Sequence, residues 1–234
     1  MKGLHRTYAI MAATLLAVFL LISGALADDF FGTSSGTFTN PVGPPGMVVS
    51  GVGTSVFTWG TPSSGPPCSL SFAGGSFSGY YEAEFSFGTL TYFNGTIYDG
   101  SEADSVTLNA VLNFTLPSGV TQSFNFPLQL INTLNTGDPW GDADYVLLSA
   151  PYDPDAYFTV GDTNYYLQFT RFGNLDEYGE IIGLNQFHVL EGQTASAQIF
   201  GKLTANPVPL PATLLLFGSG LLGLAGLGYR GRKK

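Results

Sequence analysis

Residues 106–130 read VTLNAVLNFTLPSGVTQSFNFPLQL, and their pattern indicates the fold class. Apolar side chains occupy every even position from Val106 to Leu116, and the same alternation returns between Phe124 and Leu130. A period of two residues puts one apolar face on each β-strand. Pro-Ser-Gly separates the two runs and supplies a turn. The stretch therefore predicts two long antiparallel strands joined as a hairpin, each with one face toward a core.

Shorter strand candidates flank this hairpin, at residues 55–59, 69–73, 84–93, 144–148, 163–171, 184–190 and 194–204. The body of the chain sustains no 3.6-residue period, so helices there should be short or absent. About nine strands with long loops predict an all-β fold, an antiparallel two-sheet β-sandwich of jelly-roll-like type. Asn94-Gly95 is the strongest local turn signal, and Pro127 predicts an edge or a bulge in its strand.

The composition of the 234-residue chain excludes several classes of protein. Only 11% of its residues are charged, against about 25% in a typical soluble domain, while 44% are apolar. All 17 acidic residues lie between Asp28 and Glu191, and the body of the chain has only Arg171 and Lys202 as basic residues. A body this acidic repels phosphates, which excludes nucleic-acid binding. A single cysteine, Cys68, excludes an intramolecular disulfide and a multi-cysteine metal site.

The N-terminus predicts an export signal. Lys2 and Arg6 precede an apolar run at residues 9–22, and Ala25 and Ala27 then form an A-x-A cleavage site. The alternative is an uncleaved membrane anchor. A helix of that apolar run would rise only about 21 Å, whereas the hydrocarbon core of a bilayer is about 30 Å thick. We therefore expect the secretion translocon to engage the chain and signal peptidase to cleave after Ala27.

The C-terminus predicts a membrane-spanning helix. Residues 212–228 carry no charge and are just long enough to span a bilayer, as a helix at about 212–229. The basic end that follows stays in the cytoplasm by the positive-inside rule, and it contains Arg230, Arg232, Lys233 and Lys234. The body must then lie beyond the inner membrane. The glycines of this helix fit either a helix-packing face or a docking face for a processing protease.

The segment before this helix carries a specific resemblance. Val208-Pro-Leu-Pro-Ala212, the apolar run with Phe-Gly-Ser-Gly-Leu-Leu-Gly-Leu and the basic end together resemble the PEP-CTERM sorting signal. The box residues are Val208, Pro209, Leu210, Pro211 and Ala212, with Leu210 where the family commonly has glutamate. The resemblance implies a Gram-negative bacterium whose exosortase recognises the tail, removes it, and releases or transfers the protein. Two alternatives stay open: a sortase acting on Leu210-Pro-Ala-Thr-Leu, and a permanent uncleaved anchor.

The chain thus divides into four predicted regions: a signal peptide at 1–27, a flexible lead-in at 28–46, a β-sandwich domain at 47–204 and the sorting signal at 205–234. Within the third region, four segments resemble the choice-of-anchor K domain, at residues 51–60, 87–96, 132–137 and 189–197. These segments are turns and strands. The resemblance implies an extracellular body with a variable C-terminal anchor, and it implies no activity.

Acidic loops between residues 138 and 180 contain a candidate metal site. Calcium binds six to eight oxygen ligands, which alternating aspartates in a loop can supply. That spacing occurs twice, in Asp142 with Asp144 and in Asp153 with Asp155, although neither pair matches an EF-hand. The alternative is a set of solvated loops that keep an exported protein soluble. Calcium is the one cofactor for which the sequence offers a candidate.

Carbohydrate contact is the second binding hypothesis. Aromatic faces stack on sugar rings, and Trp140 is the aromatic side chain expected outside the core. A hydrolase is the third hypothesis, since Glu82 and Glu84 are expected on the same side of a strand and close enough to flank a sugar, although such alternate glutamates also fit a simple exposed surface. His188 would have to serve any Ser-His-Asp triad, but no G-x-S-x-G motif accompanies it.

These observations favour an exported, non-enzymatic cell-surface or extracellular-matrix protein. The resemblance of the tail adds a setting of exopolysaccharide and biofilm. The runner-up is a carbohydrate-binding module, followed by a secreted hydrolase. The expected partners are the secretion translocon, signal peptidase, exosortase and an exopolysaccharide. We expect the protein to cross the inner membrane, to be anchored there transiently, and then to reach the cell surface or the medium.

Overall fold

The computed structural model describes residues 29–148, 155–173 and 175–207, and the regular structure in these ranges is entirely β-strand. The strands are β1 (Asp29–Val42), β2 (Val49–Ser50), β3 (Val56–Trp59), β4 (Cys68–Ala73), β5 (Ser76–Tyr80), β6 (Glu84–Phe93), β7 (Ser105–Leu116), β8 (Val120–Ile131), β9 (Asp144–Leu148), β10 (Phe158–Val160), β11 (Thr163–Gly173), β12 (Gly179–Ile182), β13 (Gln186–Val189) and β14 (Thr194–Pro207). The all-β prediction is confirmed.

The strands form two antiparallel sheets of seven strands each. The first sheet has the order β12-β13-β9-β8-β7-β1-β5, and the second has the order β10-β11-β14-β6-β4-β3-β2. The chain passes back and forth between the sheets, so neighbours in space are often distant in sequence. This two-layer arrangement fits the predicted sandwich.

The β7–β8 hairpin confirms the alternation seen in the sequence. Its register runs from Ser105 opposite Gln129 to Phe114 opposite Val120. The even-numbered residues from Val106 to Phe114 are buried, and Leu116 beside the turn is exposed. One face of each strand therefore points into the core, as a period of two requires.

The core lies between the two sheets and is rich in phenylalanine. Six aromatic contacts between strands cross from one sheet to the other, with ring centroids 4.8–6.1 Å apart: Phe30 with Phe85, Phe77 with Phe85, Phe38 with Phe57, Phe87 with Phe126, Phe114 with Phe158, and Phe172 with Phe187. Such contacts stabilise a core beyond their buried area by about 0.5–1.5 kcal/mol each.

The prediction of a flexible lead-in at residues 28–46 is wrong for most of that segment. Residues 29–42 form β1, which lies between β7 and β5 inside the first sheet. Phe30 and Phe38 are fully buried, and a Cβ at Gly36 would lie 2.6 Å from Cδ1 of Phe72. The small residues that suggested flexibility instead allow close packing, so the sandwich begins at the first described residue rather than at residue 47.

The two ends of the sandwich differ, and we name them for what lies there. The tail end holds residues 29, 80–84, 117–119, 158–163 and 202–207, and the loop end holds residues 94–104, 131–143 and 190–193. β14 runs from the loop end to the tail end, where Pro207 pairs with Thr163. Its final residues therefore belong to the second sheet, although the sequence assigned residues 205–207 to the sorting segment.

The predicted signal peptide and the predicted membrane-spanning helix at about 212–229 both lie outside the described residues. Within the described ranges, no helix is long and apolar enough to cross a membrane.

Candidate functional site

Three connections meet at the loop end and form the candidate site: the β6–β7 loop, the β8–β9 loop and the β13–β14 loop. Asn94 joins the first to the third, since its backbone N–H donates to Gln193 O and its carbonyl accepts from Gly192 N–H. Its side-chain amide also donates to Val189 O at 3.0 Å. Asn94-Gly95 is thus a buried crossing point between loops rather than the tight turn that its sequence predicts.

Asp144, the first residue of β9, fixes the start of the β8–β9 loop through hydrogen bonds. Its carboxylate accepts hydrogen bonds from the backbone N–H and the hydroxyl of Thr133, at 2.7 and 3.0 Å. The side chain is 2% exposed, and Tyr92 also bonds to it. Burial raises the pKa of Asp144 to about 7, despite the hydrogen bonds from Thr133 and Tyr92, which favour the ionised form.

Asp142 holds the middle of the same loop. It accepts hydrogen bonds from the backbone N–H and hydroxyl of Thr136, both at 2.7 Å, and from the backbone N–H of Gly137. The bonds from Thr136 are the main reason that the pKa of Asp142 lies below its usual value. The two aspartates together fix the course of residues 133–142.

The calcium hypothesis stays a prediction. The structure shows the oxygens of Asp142 and Asp144 engaged with the β8–β9 loop, and Asp155 is exposed near β10. Asp153 lies outside the described residues. Among the described residues, no group of three or more Asp, Glu, His or Cys side chains is placed to hold a metal ion.

Two adjoining clefts open at the loop end. The larger, of about 430 Å³, is lined by Asn135, Gly137, Pro139, Asp142, Leu190, Glu191 and Gln193. The smaller, of about 260 Å³, is lined by Gly95, Thr96, Ile97, Asp99, Asn132, Thr133, Leu134, Asn135 and Glu191. Asn135 and Glu191 line both clefts, and Glu191 is held there by a hydrogen bond from the Thr96 hydroxyl.

The β8–β9 loop also displays apolar side chains to solvent. Trp140 is 44% exposed and Leu134 is 85% exposed. The tryptophan predicted to lie outside the core is exposed; it lines neither cleft, but the preceding residue, Pro139, lines the larger one. Hydrogen bonds to Asp142 and Asp144 tie this exposed segment to the rest of the loop end.

The carboxylates proposed for glycoside hydrolysis are each paired with a different basic residue. Glu84 receives a hydrogen bond from Thr170 at 2.6 Å and an ion pair from Arg171 at 2.8 Å, and the bond from Thr170 is the main cause of its lowered pKa. Glu82 precedes β6 in a turn with φ of 65° and pairs with Lys202 at 3.9 Å. The prediction that they share one strand face is wrong.

His188 is also engaged in the structure of the sandwich. Its ring stacks on Tyr145 with centroids 4.2 Å apart, and its Nε2 lies 3.0 Å from Oε1 of Gln186. Burial lowers the pKa of His188. The ring of His188, on β13, therefore packs against its cross-strand neighbour Tyr145 on β9.

Cys68 is a fully buried residue at the start of β4. Its Sγ donates to the carbonyl of Gly95 at 3.0 Å, and burial raises the pKa of the thiol to about 12. The thiol thus supports the base of the β6–β7 loop. A nucleophilic cysteine would need the opposite shift in pKa.

Sequence reasoning missed the residues that connect the loops. Glu191, Thr96 and Asn135 lie far apart in the sequence and belong to no shared motif. The only signal was the enrichment of Asn, Thr and Asp after the strands, which predicts loops without saying which of them meet.

Comparison with known proteins identifies the C-terminus. No curated protein gives a significant match to the chain. Residues 207–233 match the family model described as the PEP-CTERM protein-sorting motif, which begins where β14 ends. The motif indicates a protein that is exported, processed by an exosortase while anchored in the membrane, and then extracellular.

Proposed function

We propose that this chain is a non-enzymatic cell-surface or extracellular-matrix protein of a Gram-negative bacterium, associated with exopolysaccharide and biofilm. The observation that carries the proposal is the sorting motif at residues 207–233, placed directly after the last strand of the sandwich. The body and the tail are then two parts with separate tasks. The tail directs processing, and the sandwich remains as the mature protein.

The state of the candidate catalytic residues supports a non-enzymatic body. Glu84, His188 and Cys68 are each engaged in packing or pairing, at three different places in the sandwich. Catalysis by such groups requires a nucleophile, a base and an orienting residue within hydrogen-bonding reach of each other. Turnover of a polysaccharide or an ester that is lost in Glu84→Gln or His188→Ala would contradict this part of the proposal.

The tail can be tested through its two prolines. Pro209 and Pro211 each remove a backbone donor and restrict the preceding residue, so an extended segment meets the membrane surface. We expect the surface form to end within residues 208–212, by intact-mass measurement, and the Pro209→Ala/Pro211→Ala variant to accumulate in the membrane with Lys234 still attached. Pro127→Ala, a proline substitution in the sandwich, is the matched control and should mature normally.

Normal maturation of the double variant would mean that the prolines do not direct processing. A wild-type surface protein that retains Lys234 would identify the segment as a permanent anchor.

A carbohydrate-binding module is the second candidate function. The exposure of Trp140 beside the larger cleft favours it, because an exposed tryptophan held by a fixed loop is a ready platform for a sugar ring. Binding to a polysaccharide that is lost in Trp140→Ala and kept in Tyr80→Ala, which removes an equally exposed aromatic side chain at the tail end, would establish it.

We further propose that the sandwich is a choice-of-anchor K-like domain, on the resemblance of the four segments at 51–60, 87–96, 132–137 and 189–197. Their positions support the idea, since they cover β3 and parts of β6 and β14 together with parts of all three loops of the candidate site. A solved structure of an accepted member with a different order of strands would contradict it.

A further inference from the structure

We propose that the paired clefts at the loop end bind a glycan that carries free amino groups, and that the tail holds this site on the side facing away from the membrane. This inference rests on the proposed function, because it names the kind of polysaccharide that the exported sandwich would meet.

The first step is the chemistry of the cleft walls. Side chains that hydrogen-bond readily to hydroxyl groups line both cavities, with Asn135 between them, Gln193 in the larger one and Asn132 in the smaller one. Buried Asn94 adjoins the smaller cleft through Gly95, and its Oδ1 has no hydrogen-bond partner among the described residues. A sugar ring offers both apolar faces and hydroxyl groups, so it suits a wall in which amide side chains stand beside apolar ones such as Pro139 and Leu190.

The second step is the rigidity of the site. Asp142 and Asp144 fix the β8–β9 loop at Thr133, Thr136 and Gly137, and the Thr96 hydroxyl fixes Glu191 across the junction of the clefts. A loop that is already held in place loses little conformational entropy when a ligand binds. The site is thus preorganised by polar contacts rather than by an apolar core.

The third step is the sign of the charge. Glu191 lies at the junction of the clefts, and Asp99 lines the smaller one. The two basic residues of the described body lie in the second sheet, away from the clefts. Arg171 pairs with Glu84, and Lys202 lies near Glu82 at the tail end. Among the residues that the structure describes, no lysine or arginine lines either cleft. An acidic polysaccharide would therefore be repelled, whereas an ammonium group can pair with Glu191.

The fourth step is the position of the site relative to the tail. β14 begins at Thr194, directly after the loop that contributes Glu191, and ends at Pro207, where the sorting motif starts. Fourteen residues of extended chain span roughly 45 Å at about 3.3 Å per residue. The sandwich consequently separates the clefts from the anchor by its full length, which leaves the loop end open to polymer outside the cell.

The test uses the secreted protein and three defined probes: partially deacetylated chitin oligosaccharides, cello-oligosaccharides and alginate oligosaccharides. We expect calorimetry or glycan-array binding to rank them in that order, with no measurable binding of alginate. Glu191→Gln keeps the acceptor for Thr96 but removes the charge, and it should weaken binding of the amino glycan by about tenfold or more. Asn135→Ala should have a similar effect, since this side chain lines both clefts.

Asp162→Asn at the tail end is the matched control for the loss of one negative charge, and it should leave binding unchanged. Thermal unfolding of each variant shows whether the sandwich is intact. Equal or tighter binding of the neutral or acidic probe, or full binding by folded Glu191→Gln, would overturn the inference. Failure of this inference is distinguishable from failure of the proposed function. If the Glu191→Gln protein still fractionates with exopolysaccharide, only the role of the clefts is contradicted. If the wild-type protein never fractionates with exopolysaccharide, the proposed function itself is contradicted.

Discussion

Asp142 and Asp144 lie two residues apart and have opposite shifts in pKa. The pKa of Asp142 is lowered chiefly by hydrogen bonds from Thr136, and that of Asp144 is raised to about 7 chiefly by burial. Their spacing in the sequence predicts one candidate calcium pair, and in the structure both accept hydrogen bonds from the β8–β9 loop. Their different surroundings mean that they contribute to stability over different ranges of pH.

The pKa of Asp144 predicts how stability depends on pH. Because the folded state holds its proton up to about pH 7 and the unfolded state releases it near 3.8, stability should decline as pH rises between these values and then level off. The full effect is on the order of 4 kcal/mol. Chemical denaturation at several pH values should show this slope in the wild type and lose it in Asp144→Asn.

Asp142→Asn is the control for that measurement. The pKa of Asp142 is lowered on folding, so its contribution is present above about 3.8 and is lost as pH falls below it. This variant should retain the decline between about pH 4 and 7. An Asp144→Asn protein with the wild-type slope would show that another group causes the dependence.

The burial of Cys68 predicts an unreactive thiol. With the pKa raised to about 12, the folded protein holds almost no thiolate at pH 8, and the sulfur is fully covered. A thiol reagent should label the native protein negligibly and label it completely in guanidinium chloride. Adding an exposed cysteine, in Ser64→Cys, gives one rapidly labelled thiol as the comparison, and equally rapid labelling of the wild type would contradict the buried position.

At the scale of elements, strand prediction succeeds where alternation is long and fails where small residues carry a strand. The β7–β8 hairpin and β6 follow their predicted bounds closely, but β1 was missed because glycine, serine and threonine dominate it. Pairing on both sides, with β7 and β5, compensates for the weak strand propensity of its glycines. Pro127 lies in β8, an interior strand, opposite Thr107 in a β7–β8 register without a shift, so the edge or bulge that its sequence predicts is not found there.

The role of β1 can be measured with two substitutions in it. Phe38 is fully buried and contacts Phe57 across the core, so Phe38→Ala should lower the free energy of unfolding by about 3–5 kcal/mol. Ser35→Ala changes an exposed position of the same strand and should stay within about 0.5 kcal/mol. A flexible segment would tolerate both changes equally, which denaturant titration would reveal.

At the scale of the whole molecule, both ends of the described chain lie at the tail end of the sandwich. Asp29 pairs with Tyr80, and the backbone N–H of Glu82 donates to the carbonyl of Leu203 in β14. The start of β1 and the end of β14, after which the sorting motif continues, thus lie at the same end of the sandwich. The described part of the sandwich ends at Pro207, which is also the first residue of the matched sorting motif.

The N-terminus of the secreted protein follows from the predicted signal peptide. Cleavage after Ala27 leaves Asp28 as the first residue, one position before β1 begins. We expect intact-mass measurement to show that N-terminus. Ala25→Arg/Ala27→Arg should block cleavage, because signal peptidase requires small residues at these positions. A secreted wild-type protein that begins at Met1 would remove the basis for export by this signal.

The sequence by itself determined the features that depend on local chemistry. Alternating apolar residues identified the long strands and the sandwich class, and Val208, Pro209 and the basic end identified the sorting signal, because each rests on contiguous residues. The tertiary structure alone decided that residues 29–42 form an interior strand and that Glu82 and Glu84 are separately paired. It also brought Asn94, Asn135 and Glu191 together at one end. Contacts of this kind join residues up to about a hundred positions apart, and they form only because two packed sheets place the ends of their strands side by side.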